Sequence, residues 1–222
     1  MQYLIRHPPN SKRISLKVEY PKKVIVSAPK HISKRFINRF VDDHQDWITT
    51  QLKKVASQHQ QIESEDQILI FGKRYNKDYS FNNSLKQGVF ILDDKLVINY
   101  PSSSKKTAIK KEIALFLKTA SRSYLYQRTP ELAKKLELSY SSLTLREQKS
   151  RWGSCSSNDS INLNWRLVHY PPAVIDYVII HELAHLVHRN HSKKFWQLVA
   201  EHDPDFNEHR TYLKRFGVTI FK

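Results

Sequence analysis

The sequence predicts an α+β fold: a β-rich region over residues 1–100 carrying one long helix, then a mostly helical domain over 101–222 with a small antiparallel sheet. Three observations predict it. Alternation of apolar and polar residues dominates stretches such as Arg13-Ile-Ser-Leu-Lys-Val-Glu-Tyr20, the period of a strand with one buried face. Helical spacing dominates beyond residue 105, as in Ile109, Ile113, Leu115, Phe116 and Leu117. Between the two lies Pro101-Ser-Ser-Ser-Lys-Lys106, the most linker-like run in the chain.

The elements follow in order. Lys23-Val-Ile-Val-Ser-Ala28 comes just after Pro21 and predicts a hairpin with the 13–20 strand. Ser33 is placed to cap a helix running to about residue 57, with Phe36, Ile37, Phe40, Val41, Trp47, Ile48 and Leu52 as its apolar positions. Strand-like runs occur at 68–71, 88–93 and 95–99. A helix is expected over 105–127 and a short one over 130–137, with Pro130 in the first turn of the second. Ser142–Glu147 and Ile161–His169 read as strands around the polar stretch 150–160, where Asn158-Asp159 suits a tight turn. Pro171-Pro172 opens the next helix, two more follow at 192–201 and 205–216, and Gly217 suits a C-terminal cap.

At 222 residues the chain is long enough for a sizeable core. No apolar run is long enough to span a bilayer, and the N-terminus lacks the apolar core of a signal peptide. Cys155 is the single cysteine, so no internal disulfide can form. Together these predict a cytoplasmic protein without a membrane partner. The net charge of +16 suits a polyanionic partner, nucleic acid or nucleotide, or else a solvated basic surface.

The richest stretch is His181-Glu-Leu-Ala-His-Leu-Val-His-Arg-Asn-His191. On a helix His181 and His185 stand one turn apart and about 40° around the axis, so both imidazoles can hold one zinc ion. Glu182 is then placed to act as general base. The preceding Val174, Ile175, Tyr177, Val178, Ile179 and Ile180 predict a helix buried on several sides, where histidines without partners would be costly. Two residues compete as third ligand. His188 shares the helical face but lies about 10.5 Å along the axis from His181. His191 follows Asn190, which tolerates the left-handed conformation that ends helices and would fold His191 back over the metal. This favours His191, with His188 facing substrate or supporting a ligand. The spacing equals that of metzincins, but their methionine turn is missing, since Met1 is the only methionine.

Upstream, Arg151 is placed to meet an oxyanion, carboxylate or phosphate. Gly153 would allow close approach of another chain to an edge strand. Trp152, Tyr177, Phe195 and Trp196 read as packing residues, and Cys155 as a small packed one. Asp176 lies well around the helix from His181, and Asp203, Asp205 and Glu208 read as helix caps.

The runs Lys149-Ser-Arg-Trp-Gly-Ser-Cys-Ser156, Ile161-Asn-Leu-Asn-Trp-Arg-Leu-Val168, Val174-Ile-Asp-Tyr-Val178, His181-Glu-Leu-Ala-His185 and Asn190-His-Ser-Lys-Lys-Phe-Trp196 closely resemble the YgjP-like metallopeptidase family, which is related to SprT-like zinc proteases. The resemblance extends over about Lys12 to Arg215. It implies a zincin-like second domain, zinc on His181, His185 and His191, Glu182 as catalytic base and a polypeptide substrate. Two alternatives keep the metal: a phosphohydrolase acting on nucleotides, and a protease held on nucleic acid by its basic surface.

Overall fold

The structure is a computed structural model that describes residues 2–9, 11–19, 23–62, 64, 66–148 and 151–216. Pro21, Lys149, Ser150 and Gly217, each used above, lie outside the described residues. The chain forms two compact units, one within Met1–Gln61 and the other Ile62–Arg215.

In the first unit, β2 (Ser15–Glu19) and β3 (Lys23–Ser27) form the expected antiparallel pair, with Leu16 opposite Val26 and Val18 opposite Val24. A short strand, β1 (Leu4–Arg6), adds parallel to β3. Ser33 caps α1 (Lys34–Asp43) by accepting the Phe36 N–H at 3.2 Å. Ile37 and Val41, one turn apart, join Val18, Val24 and Val26 in the core of this unit. The single helix expected to residue 57 is instead two. It breaks at His44, whose Nδ1–H donates to the Phe40 carbonyl at 2.8 Å, and α2 (Gln45–Ile62) starts anew. Phe36 and Trp47, counted among the apolar positions, are exposed, as is Leu115, counted among those of the later helix.

The second unit begins with a four-stranded sheet of β4 (Gln67–Ile70), β5 (Lys73–Ser80), β6 (Gly88–Leu92) and β7 (Lys95–Asn99), in the order β4-β5-β7-β6. Phe71 and Gly72, both at positive φ (50° and 77°), make the two-residue turn between β4 and β5, as hairpins with primed turns require. Its apolar face, Ile68, Ile70, Leu96 and Ile98, shares one cluster with Ile113, Leu117, Trp165 and Val168. The core thus runs continuously across position 100.

The long helix α3 spans Lys106–Lys135 without interruption, and Pro130 lies inside it rather than starting a second helix. Proline costs that helix one backbone hydrogen bond. The buried run Leu125, Thr129, Leu132 and Ala133 continues through the proline, and this packing outweighs the local break. A third sheet holds β8 (Ser142–Arg146), β9 (Gly153–Cys155) and β10 (Ser160–Asn164) in the order β8-β10-β9. It is mixed, not purely antiparallel as expected. β9 and β10 form a hairpin around Asp159 (φ 55°), while β8 joins the far side of β10 in parallel. The strand expected to reach His169 stops at Asn164. That side chain accepts the Arg166 N–H and starts a 3₁₀ turn over Trp165–His169.

The helix α4 (Pro172–Ala184) follows, then α5 (Lys193–His202), capped by Ser192, and α6 (Phe206–Phe216). The start of α4 is seated by three contacts. Phe71 N–H donates to the Val168 carbonyl at 2.6 Å, and the buried His169 Nδ1–H donates to the Leu69 carbonyl at 2.8 Å. A Cβ on Gly72 would come within 2.9 Å of Pro171 Cα, so this turn admits no side chain there.

Candidate metal centre and active site

His181 lies in the last turn of α4 and His185 caps it. The helix ends here rather than near Asn190, and Asn190 is not among the described non-glycine residues with positive φ. The reason is local. The Leu186 and Val187 N–H groups tighten onto the Leu183 and Ala184 carbonyls, and His188 N–H also donates to Ala184. The chain has therefore turned before Asn190 is reached. Ser192 then starts α5 and brings His191 back to the helix.

Candidate ligand atoms of His181, His185 and His191 all lie within 4.8 Å of one another, and the Nε2 atoms of His181 and His191 are 3.1 Å apart. Phe195 is fully buried, with its ring centroid 5.0, 4.6 and 4.8 Å from those of His181, His185 and His191. Trp196 stacks on His191 at 5.5 Å. Both aromatics pack as expected, and they also fix the ring orientations of the cluster. His185 Nδ1 meets the His188 carbonyl at 3.0 Å. A carbonyl only accepts, so Nδ1 carries the hydrogen and Nε2 keeps its lone pair. His188 thus supports His185 through its backbone.

The electrostatics keep the lone pairs free. Burial lowers the pKa of His181 to about 3, with the charges of His185, His191 and Arg210 acting in the same direction. Burial also lowers His185, helped by His191 and Arg189 and opposed by the bond to His188. Among the described residues, His181 Nδ1 is buried without a hydrogen-bond partner.

Glu182 is buried between α4 and β9. Burial raises its pKa to about 8 against the pull of the Arg151 charge and the Cys155 N–H, which donates to it. A Cβ on Gly153 would stand 2.6 Å from both Cγ and Oε1 of Glu182. The close approach that Gly153 permits is therefore made by this chain's own carboxyl group. Arg151 is exposed, and Trp152 is half-buried, edge-on to Tyr170 at 4.7 Å. β9 pairs only with β10 among the described strands, and its Cys155 N–H is taken by Glu182.

Other side chains resolve as structural. Asp176 forms a two-point ion pair with Arg128, at 3.0 and 2.8 Å. Tyr177 is buried, 5.9 Å from the His181 ring, and burial raises its pKa to about 12. Asp203 is not a side-chain cap. Its carboxylate accepts from His209 Nδ1 at 2.9 Å, while its backbone carbonyl receives the Phe206 N–H. Arg189 donates to the Ser156 carbonyl at 2.7 Å and to Asp159, tying the loop after α4 to the β9–β10 turn. Sequence reasoning missed Arg189 and Arg210. Arg189 lies within the His181–His191 stretch, but its partners Ser156 and Asp159 are distant in sequence, and Arg210 shows only helical spacing from Phe206.

The helix end that carries His181 and His185, with His191 folded back on it, forms a possible metal site. Residues 12–216 match the family model described as YgjP-like, metallopeptidase domain, and the chain belongs to that family. Among solved structures, the metallopeptidase zymogen abylysin of Pyrococcus abyssi is 23% identical, with 41% of this chain and 96% of that chain covered at a TM-score of 0.35. The zymogen jannalysin of Methanocaldococcus jannaschii is 22% identical, covering 40% and 95%, also at 0.35. No curated protein matches the chain.

Proposed function

We propose that the protein is a zinc-dependent peptidase in which His181, His185 and His191 hold the metal and Glu182 is the catalytic base. The observation that carries this reading is the convergence of three imidazoles within 4.8 Å, with a buried carboxyl next in sequence to the first of them. The donor set fits zinc. It is all nitrogen, the His185 tautomer is fixed by the His188 carbonyl, and three ligands leave a fourth position open. When bound, zinc supplies Lewis acidity and brings the pKa of a water towards ~7.

The chain's own residues do the rest. Glu182, held in place by the Cys155 N–H, accepts the proton of the attacking water and returns it to the leaving amine. Gly153 leaves room for that carboxyl, and the outer edge of β9, apart from the Cys155 N–H that Glu182 takes, offers backbone groups to an extended peptide. Arg151 keeps its role as a candidate contact to developing negative charge. His188 keeps a candidate substrate-facing role for its ring. The single cysteine supports a reducing, cytoplasmic setting, and no described helix is long and apolar enough to cross a membrane.

The test pairs metal analysis with turnover of unfolded polypeptide. Glu182→Gln should retain one zinc per chain and lose hydrolysis, and full activity in that variant would remove the base assignment. The nucleotide and nucleic-acid readings rest on the +16 charge, and hydrolysis of nucleoside triphosphates or salt-dependent DNA binding by the same preparation tests them.

A further inference from the structure

Arg210 lies on α6, one turn after Phe206, and its guanidinium carbon is 4.6 Å from the centre of the Trp196 ring. That indole is itself 5.7 Å from His181 and 5.5 Å from His191, and it stacks on Phe206 at 5.5 Å. The same indole therefore lies beside a guanidinium and beside two of the three clustered histidines.

Arg210 is half-buried, yet among the described residues it forms no ion pair and donates no hydrogen bond to a side chain or carbonyl. Arg128, Arg166 and Arg189 each hold a carboxylate. Stacking on Trp196 satisfies the face of the guanidinium and leaves its N–H edge unused. Metal binding would add further positive charge close by. Two like charges in a partly desolvated place repel, and an anion lying between them reverses the sign. The edge of a guanidinium is a fork matched to a carboxylate.

We propose that Arg210 binds a carboxylate of the peptide substrate beside the histidine cluster. The proposal rests on the peptidase reading above. A peptide supplies that group either at its C-terminus or on an acidic side chain.

The test measures binding by calorimetry with the zinc-loaded, full-length Glu182→Gln protein, so the peptides stay intact. Four otherwise identical peptides carry a free or amidated C-terminus and a Glu or Gln as the penultimate residue. With Arg210 present, a carboxylate-bearing peptide is expected to bind about tenfold or more tightly than its neutral counterpart, the scale of a charge-assisted hydrogen bond. Preference at the C-terminus marks recognition of chain ends, and preference at Glu marks recognition of acidic residues. Arg210→Met should bring the ratio close to one. The ratio is taken within each protein, so a general loss of stability cancels. Arg210→Lys, which keeps the charge but not the fork, should also lower the ratio if the methionine variant does not fold. Absence of any carboxylate preference, or a preference that survives both substitutions, overturns the proposal. Cleavage of the same peptides by the Glu182-bearing protein tests hydrolysis separately, so either idea can fail alone.

Discussion

Glu182 and Gly153 meet so closely that one added carbon on Gly153 would stand 2.6 Å from the carboxyl oxygen. The carboxyl is also held by the Cys155 N–H from the same strand. Strand β9 therefore determines where the candidate base sits.

Gly153→Ala should move that carboxyl without touching the histidines. Displacing a reacting group by about 1 Å can cost on the order of 100-fold in rate, so a fall in kcat of that order is expected. Zinc content should stay at the wild-type level. Steady-state kinetics and metal analysis on one preparation check both halves.

His188 and His191 should separate cleanly. His188→Ala keeps the carbonyl that orients His185, so zinc affinity should change little. His191→Ala removes a proposed ligand and should cost more than the roughly 10–100-fold typical of an outer partner. Competition against a chelator measures both, and equal losses would count against the assignment of His191.

Zinc should also stabilise the fold. A ligand that binds only the native state adds about 2.7 kcal/mol when present at 100 times its Kd. Chelation should therefore lower the Tm of the wild-type protein and leave that of His181→Ala or His191→Ala almost unmoved. Thermal melts with and without chelator decide it.

Much of this site was legible because its key residues are close in sequence. The eleven residues from His181 to His191 carry the whole cluster, and Ser33 caps its helix as its neighbours said it would. What sequence could not show depends on distant partners. Strand β5, Lys-Arg-Tyr-Asn-Lys-Asp-Tyr-Ser, has almost no apolar alternation and is held by backbone pairing to β4 on one side and β7 on the other. The unbroken α3 depends on burial that outweighs Pro130. The end of α4 is a tightened backbone turn onto the Leu183 and Ala184 carbonyls that no helix-ending residue announces. Arg210 gains its meaning only when α6 packs on Trp196.

The Glu147 carboxylate joins Lys118 at 3.0 Å and Arg166 at 2.7 Å. Burial acts to raise its pKa, but the Lys118 hydrogen bond and the two positive charges hold it below the ordinary 4.5. A carboxyl lowered on folding stabilises the native state above its unfolded pKa and loses that contribution as pH falls through the folded value. Half of the side chain is exposed, so the effect is small. Glu147→Gln should lower the urea midpoint at pH 7 and narrow its difference from wild type as the pH drops below 4.5.

The seat at Gly72 and Pro171 has a consequence for helix phase. Pro171 is anchored against the β4–β5 turn, so the angular position of every later residue on α4 is counted from that anchor. A helix turns about 100° per residue. A single residue inserted between Pro172 and Ile180 would thus rotate His181 and Glu182 together by about 100°, carrying one away from His191 and the other away from β9. The interval from anchor to cluster is a fixed count, and its length matters as much as the identity of any residue within it.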